Sequence, residues 1–500
     1  MTFDDGSVRR SLKSSGDDFS VLMKSNSRAL GKLPFLRIFV WVAILLSLLA
    51  CGGLLVDNGN APLSGFYVYT ANFGSDNITQ FAADKEGNLK KITQYATGHG
   101  PISIVGSGLK NSNGNTRRVV YVANFSDQTI SSYTITCAGL RGPGRLVPLA
   151  VTSVGAYPTV LLADQYANHL YCTCNNSNEL VDFAIDPDSG VLTQLKRVAT
   201  GHGPIGVGIN GQGAFVCNSN DGTMSSYTLP SLTPWAIPSI VTGTGARQVI
   251  TARYGVGLYS LNRSEGTISM FAEDIDKQGN DILKDKGKVR LPGPSPSIAA
   301  FIPNSGNNDY LYVTNRGNNT VTALKHDVIT GILTLTTIPD AASGILPNDL
   351  QAGLPTPNQL GKLLYEADDS GEVRGYYQLT DGSLLHSGTF VVGGYQPRAL
   401  LVSDDIGPSY TQGELQIVTG DVPNGKIGTP YKKEILTSFW AILLVASGSL
   451  PPGLTITYDN ENNLSYISGT PTAAGTYNFD LKGWAGYQSA TMSYHMTVAP

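Results

Sequence analysis

The sequence predicts an all-β protein, a seven-bladed β-propeller followed by a small β-sandwich, on three observations. The first is a repeated strand figure. An aromatic residue opens each copy at Tyr69, Tyr121, Tyr171, Phe215, Tyr259, Tyr312 and Tyr365, and apolar residues follow nine and twelve positions later, as Ile130 and Tyr133 follow Tyr121. The seventh copy is one residue shorter, with Val373 and Tyr376. Intervals of 44 to 53 residues, with Gly/Asn/Asp turns between alternating strands, suit a four-stranded blade. The second is a Gly-x-x-Pro figure or close variant in step with the first. It occurs at Gly98–Pro101, Gly155–Pro158, Gly201–Pro204, Gly243–Ala246, Gly293–Pro296, Ile345–Pro347 and Gly394–Pro397. The third is a change of pattern after residue 420.

Composition agrees with this reading. The 500 residues can hold two or three domains, and 41% apolar content supplies a core for each. Only 14% of residues are charged and the net charge is −4, so no nucleic-acid partner is expected. The 57 glycines and 27 prolines show no collagen period and are spread among apolar strands, as in a turn-rich β protein.

Residues 1–51 read as a signal or anchor segment. Basic residues from Arg9 to Arg37 precede an uncharged, largely apolar run from Ile38 to Val56. Leu48-Leu49-Ala50-Cys51 resembles a bacterial lipoprotein signal, in which cleavage leaves Cys51 as the lipid-attachment residue. The other reading is an uncleaved signal anchor, because the run is just long enough to span a bilayer. Both place the rest of the chain outside the cytoplasm, held to a membrane by a lipid or an N-terminal anchor. Gly52 after the cysteine favours the outer membrane or cell surface over a periplasm-facing inner-membrane site.

Residues 52–64 form a linker and residues 65–402 the propeller. The first regular strand, Phe66–Asn72, matches the second strand of later repeats. Its missing partner is expected at the far end, where Pro397-Arg398-Ala399-Leu400-Leu401-Val402 has no Tyr strand behind it. Residues 397–402 should therefore join residues 66–97 in one mixed blade and close the ring. Cys172 and Cys174 share one face of their strand and Cys217 has the opposite parity on the next repeat. The geometry permits a disulfide between Cys217 and either of them in an oxidising compartment; the other reading is buried free thiols. Cys137 is the fourth cysteine of the exported part.

Tyr-Val-Ala-Asn at 121–124, Tyr-Val-Thr-Asn at 312–315 and Tyr-Thr-Ala-Asn at 69–72 carry a resemblance to the YVTN family of seven-bladed propellers, and particularly to its lactonase-like branch. The resemblance covers about residues 65–402. Beyond a polar junction at 403–420, residues 421–500 resemble the immunoglobulin-like domains common on bacterial surfaces. Gly428-Thr429-Pro430-Tyr431, Ile467-Ser468-Gly469-Thr470-Pro471 and Ala474-Gly475-Thr476-Tyr477 carry that likeness, which implies a spacer or adhesive module.

In a propeller the innermost strands line the channel, so the loops leading into them gather side chains at one mouth. Here those loops carry His99, Tyr157, His202, Arg247, Asn348, Gln396 and Arg398. His99 and His202 occupy the same slot of two identical Gly-His-Gly-Pro-Ile segments, where acid/base or metal-ligand chemistry competes with turn packing. Resemblance to the lactonase branch implies a His, an Arg and a Glu that bind and open a lactone. Arg247 matches the arginine, but Gln248 stands in the histidine position and Arg263 in the glutamate position. Neither replacement can act as a base near neutral pH, and Glu265 would point from a turn. Arg247 and Arg263 together suggest an anionic ligand such as a carboxylate or sugar acid; the alternative is pairing with carboxylates of neighbouring blades.

No nucleophile elbow, zinc-protease helix or nucleotide fingerprint is present, so no cofactor, metal or confident catalytic residue is expected. The reading this supports is an envelope-anchored binding or scaffold module with a degenerate lactonase site, its partner a glycan, peptide or protein. The alternative is an exported lactonase, similar to 6-phosphogluconolactonase, acting on a sugar lactone.

Overall fold

The computed structural model describes residues 66–84, 87–110, 116–136, 144–164, 168–210, 213–252, 257–275, 281–302, 308–328, 330–353, 362–402, 416–437, 442–459, 464–485 and 488–500. The expected signal or anchor segment with Cys51, the expected linker 52–64, Cys137 and most of the expected junction lie outside them. Among the described residues every regular element is a strand. No helix there is long and apolar enough to cross a membrane.

Seven antiparallel sheets form the blades. The first, from its inner strand outward, is Pro101–Lys110, Thr116–Asn124, Thr129–Ile135 and Leu146–Ser153. Blades two to six follow in chain order with inner strands Pro158–Asp164, Pro204–Asn210, Ala246–Thr251, Pro296–Ile302 and Pro347–Gly353. The seventh is mixed. Its inner strand Pro397–Val402 pairs antiparallel with Phe66–Asn72, with Tyr69 opposite Leu401, and Asn77–Ala83 and Leu89–Ala96 complete it. The ring closes at the expected place.

Period-two alternation explains why these sequences form blades packed face to face. In the second strand of the first blade, Val119, Tyr121 and Ala123 enter a cluster with Leu161, Leu170, Cys172 and Cys174 of blade two. Val120 and Val122 enter another with Tyr67, Tyr69 and Leu401 of blade seven. Seven such clusters occupy the seven interfaces. Cysteine parity follows the same rule and removes the disulfide: Cys172 and Cys174 face blade one, whereas Cys217 faces blade four, 3.4 Å from Ser260 Oγ. All three are buried free thiols. Burial pushes the Cys217 thiol up to about 12.

The repeated residues have structural duties. The motif Asn side chain is buried and ties its own hairpin: Asn124 Nδ2 donates to Thr129 Oγ1 and Ser131 Oγ at 3.0 and 2.8 Å, and Asn218, Asn262 and Asn315 make the equivalent pairs. The motif Tyr hydroxyl donates to a glycine carbonyl in the outer turn of the next blade. Tyr121 reaches Gly190, Tyr259 reaches Gly331 and Tyr365 reaches Gly87, each at 2.9 Å, and Tyr312 reaches Gly382 at 2.7 Å. Glycine is needed there because φ is positive, +77° at Gly190, where a Cβ would also meet Val119 Cγ2 at 2.7 Å.

After residue 420 the strands form two further sheets. Gly425–Lys426, Gln488–Ala499, Gly475–Ala485 and Ile442–Gly448 make one; Tyr431–Ile435, Leu464–Gly469 and Leu454–Asp459 make the other. Their facing residues, among them Leu443, Ile467, Phe479, Leu481 and Met496, share one apolar core.

Candidate functional site

One end of the channel is built from two slots per blade. The first is a bulge. In all seven blades the ladder between inner and second strands skips the residue after the Pro position: Ile102, Thr159, Ile205, Arg247, Ser297, Asn348 and Arg398. A bulged residue is left out of the pairing, which re-aims its side chain. The second slot follows the motif Asn position and holds Phe125, Asn175, Ser219, Arg263, Arg316, Asp369 and Phe73 from blade one to blade seven. The backbone N–H in that slot donates to the loop leading into the inner strand, as from Phe125 to the Gly100 carbonyl, Arg263 to Gly245 and Phe73 to Gln396. The slots are therefore equivalent around the axis, and only the side chains differ.

Those side chains divide the mouth into two arcs. Over blades four to seven lie Arg247, Arg263, Arg316 and Arg398 with Asn348 and Asp369. Arg316 Nη2 is 2.8 Å from Asp369 Oδ2, and Arg316 Nη1 also donates to Asn348 Oδ1. Asn348 Nδ2 donates to Asp369 Oδ1 at 2.8 Å, and Arg398 Nη1 to Asn348 Oδ1 at 2.7 Å. Arg398 Nη2 stands 3.5 Å from Asp369 Oδ1. Arg247 Nε donates to the Ser297 carbonyl at 2.9 Å. Among the described residues, neither Arg247 nor Arg263 forms an ion pair. Burial, with Arg263, Arg316 and Arg398 close by, lowers the Arg247 pKa to about 10. Asp349, behind this arc, is pushed up to about 6 by burial, although the Leu400 and Leu350 N–H groups donate to its carboxylate.

The other arc, over blades seven, one and two, is aromatic. Phe73 and Phe125 have ring centroids 6.4 Å apart, and Phe125 and Tyr157 5.0 Å. Arg398 lies 5.8 Å over Phe73, where the basic arc meets the aromatic one.

The structure thus brings together Arg247, Arg263, Asn348 and Arg398, and sets Tyr157 across from them. It places His99 and His202 in turn chemistry between neighbouring blades. His99 has a side chain 72% exposed, with Nδ1 2.8 Å from Asp76 Oδ2, and its backbone N–H donates to Asp127. His202 repeats this with Asp221 on its backbone and Asn178 at 3.4 Å from its ring. Gln396 contributes its carbonyl and a positive φ of 53°. Gln248 is fully engaged: Nε2 donates to the Ala299 carbonyl and Oε1 accepts the Ala299 N–H, at 3.0 and 2.8 Å. Glu265 is held by Lys288 on its own blade at 3.0 and 3.1 Å. The sixth loop figure begins at Gly344, not Ile345, with Leu346 in the positive-φ position that glycine fills in Gly98–Pro101. Phe73, Phe125, Arg316 and Asp369 were not foreseen; they share the slot of Arg263, and that equivalence was the available signal. Among the described residues no group of three side chains is placed to hold a metal.

The fold is that of the lactonase-like β-propellers. Solved structures with this architecture include a candidate 6-phosphogluconolactonase of Bacteroides fragilis, 19% identical, TM-score 0.56, over 68% of this chain and 98% of that one. A candidate 6-phosphogluconolactonase of Bacteroides uniformis is 17% identical with TM-score 0.55, covering 68% and 99%. The periplasmic gluconolactonase of Pseudomonas aeruginosa is 16% identical with TM-score 0.54, also covering 68% and 99%. No family profile and no curated protein matches the chain.

Proposed function

We propose that the mouth takes a small anionic sugar derivative, an aldonic acid or a phosphorylated aldonolactone, and that lactone opening is its reaction. The observation that carries this is the excess of charge among the described residues: four guanidinium groups converge on a mouth lined by Asp369, with Asp349 buried behind Arg247. An anionic substituent would satisfy Arg247 and Arg263, and the same groups would stabilise the oxyanion formed when water adds to a lactone carbonyl. Asp369, oriented by Arg316 and Asn348, is the residue positioned to accept the proton from that water. Likeness to gluconolactonases supports the choice of lactone, and likeness to a periplasmic one supports an extracytoplasmic site, with residues 1–51 as export segment and a lipid on Cys51 or an uncleaved anchor as the membrane attachment.

A second reading is binding without turnover, by which the protein would serve as a module for a glycan, peptide or protein bearing such a group. Gln248 favours it, since both its amide atoms are spent on Ala299. The test is base uptake at constant pH over gluconolactone and its 6-phosphate, beside calorimetry with gluconate. Opening that Asp369→Asn abolishes and Arg263→Ala weakens supports the hydrolase. Gluconate binding without opening supports the module, and neither binding nor opening overturns both.

A further inference from the structure

The aromatic arc has no part in the reading above. Phe73 and Phe125 fill the slots that hold Arg263 and Arg316 on the other side, with the same backbone hydrogen bonds to the loops. Phe73, Phe125 and Tyr157 are only partly buried, and centroid separations of 6.4 and 5.0 Å make them a continuous tilted surface. Ile102 occupies the bulge slot beside Phe125, so blade one offers no polar side chain in either slot. The mouth is therefore apolar at one side and cationic at the other. A compact, uniformly hydroxylated acid would leave the aromatic side facing water.

We infer that the ligand has two ends: an anionic group held by Arg247, Arg263 and Arg398, and an aromatic ring laid against Phe73, Phe125 and Tyr157. An aryl conjugate of a sugar acid is the chemical class that fits. This rests on the anion-binding reading for one end only. Stacked and edge-on ring contacts draw on the quadrupole and on apolar area, so the second end adds affinity independent of charge.

Three probes separate the ends on the full-length protein: glucuronate, 4-nitrophenyl glucuronide and 4-nitrophenyl glucoside. Calorimetry should find the aryl glucuronide about ten-fold tighter than glucuronate, the scale of a favourable ring contact. Phe125→Ala should erase that advantage while leaving glucuronate unchanged, and Arg263→Ala should weaken both acids alike. The wild-type comparison alone stays decisive if Phe125→Ala misfolds. An aryl group that adds less than about two-fold, or a Phe125→Ala loss equal for both acids, overturns the two-ended ligand and leaves a site that stacks the sugar ring itself or nothing. If neither acid binds but the aryl glucoside does, the anionic reading fails and the aromatic surface stands.

Discussion

Arg263, proposed to hold the anion, illustrates what a binding residue would cost its fold. It has no carboxylate partner among the described residues, sits with Arg247, Arg316 and Arg398, and has its pKa lowered by burial and by the last two. Removing it should relieve repulsion. Arg263→Ala is expected to hold or raise unfolding stability, by about 0–1 kcal/mol, while lowering affinity for gluconate about ten-fold or more. Thermal melts beside calorimetry check both halves, and a marked loss of stability would reassign Arg263 to the fold. Asp349 supplies a pH signature. Its carboxyl is raised from 3.8 to about 6, chiefly by burial, so between those values the folded state holds a proton that the unfolded state releases. Stability therefore falls as pH rises through that window, by at most about 3 kcal/mol. Urea midpoints from pH 4 to 7 should show wild type losing ground to Asp349→Asn as pH increases; parallel curves would contradict the assignment.

At the scale of the blade, the tyrosine-to-glycine bond joins each sheet to the next where the sequence allows it. Tyr121→Phe leaves the Gly190 carbonyl without its donor and should cost about 1–2 kcal/mol in chemical denaturation. Tyr171→Phe is the internal control. The Tyr171 hydroxyl is buried and makes no hydrogen bond among the described residues, its ring sharing a cluster with Leu232 from the outer turn of blade three, so its loss should be neutral or slightly stabilising. This level was the most legible in the sequence. The aromatic, the Asn and the Gly-x-x-Pro recur because every blade solves the same packing problem, and repetition makes such residues visible. The mouth was only partly legible for the complementary reason: its two slots hold a different side chain in every blade. Arg247, Asn348 and Arg398 were found because they adjoin the Pro figure. Phe73 and Asp369 follow the strand end and carry no repeated identity. The histidines of the two Gly-His-Gly-Pro-Ile segments drew notice because they repeat, and what the structure repeats there is a backbone bond to Asp127 or Asp221.

For the whole ring, closure depends on one strand supplied from the far end of the propeller sequence. Leu400 and Val402 pack with Val68 against blade six, and Ala399 and Leu401 with Tyr69 against blade one. A chain ending at Gln396 would expose both interfaces and the edge of Phe66–Asn72, and is expected to aggregate instead of showing a single cooperative melt; a soluble, cooperatively melting product would contradict this. The register of that pair has a mechanical corollary. Asn72 meets Pro397 at the mouth, while Val68 meets Val402 at the opposite end, where the chain enters at Phe66 and leaves at Val402. The described chain thus enters and leaves the ring at the end opposite the mouth. Tension applied between the points of entry and exit falls on one terminal pair first and peels the seam rung by rung, as a zip opens, so the ring yields to modest pulling from behind while resisting load spread evenly along the strands.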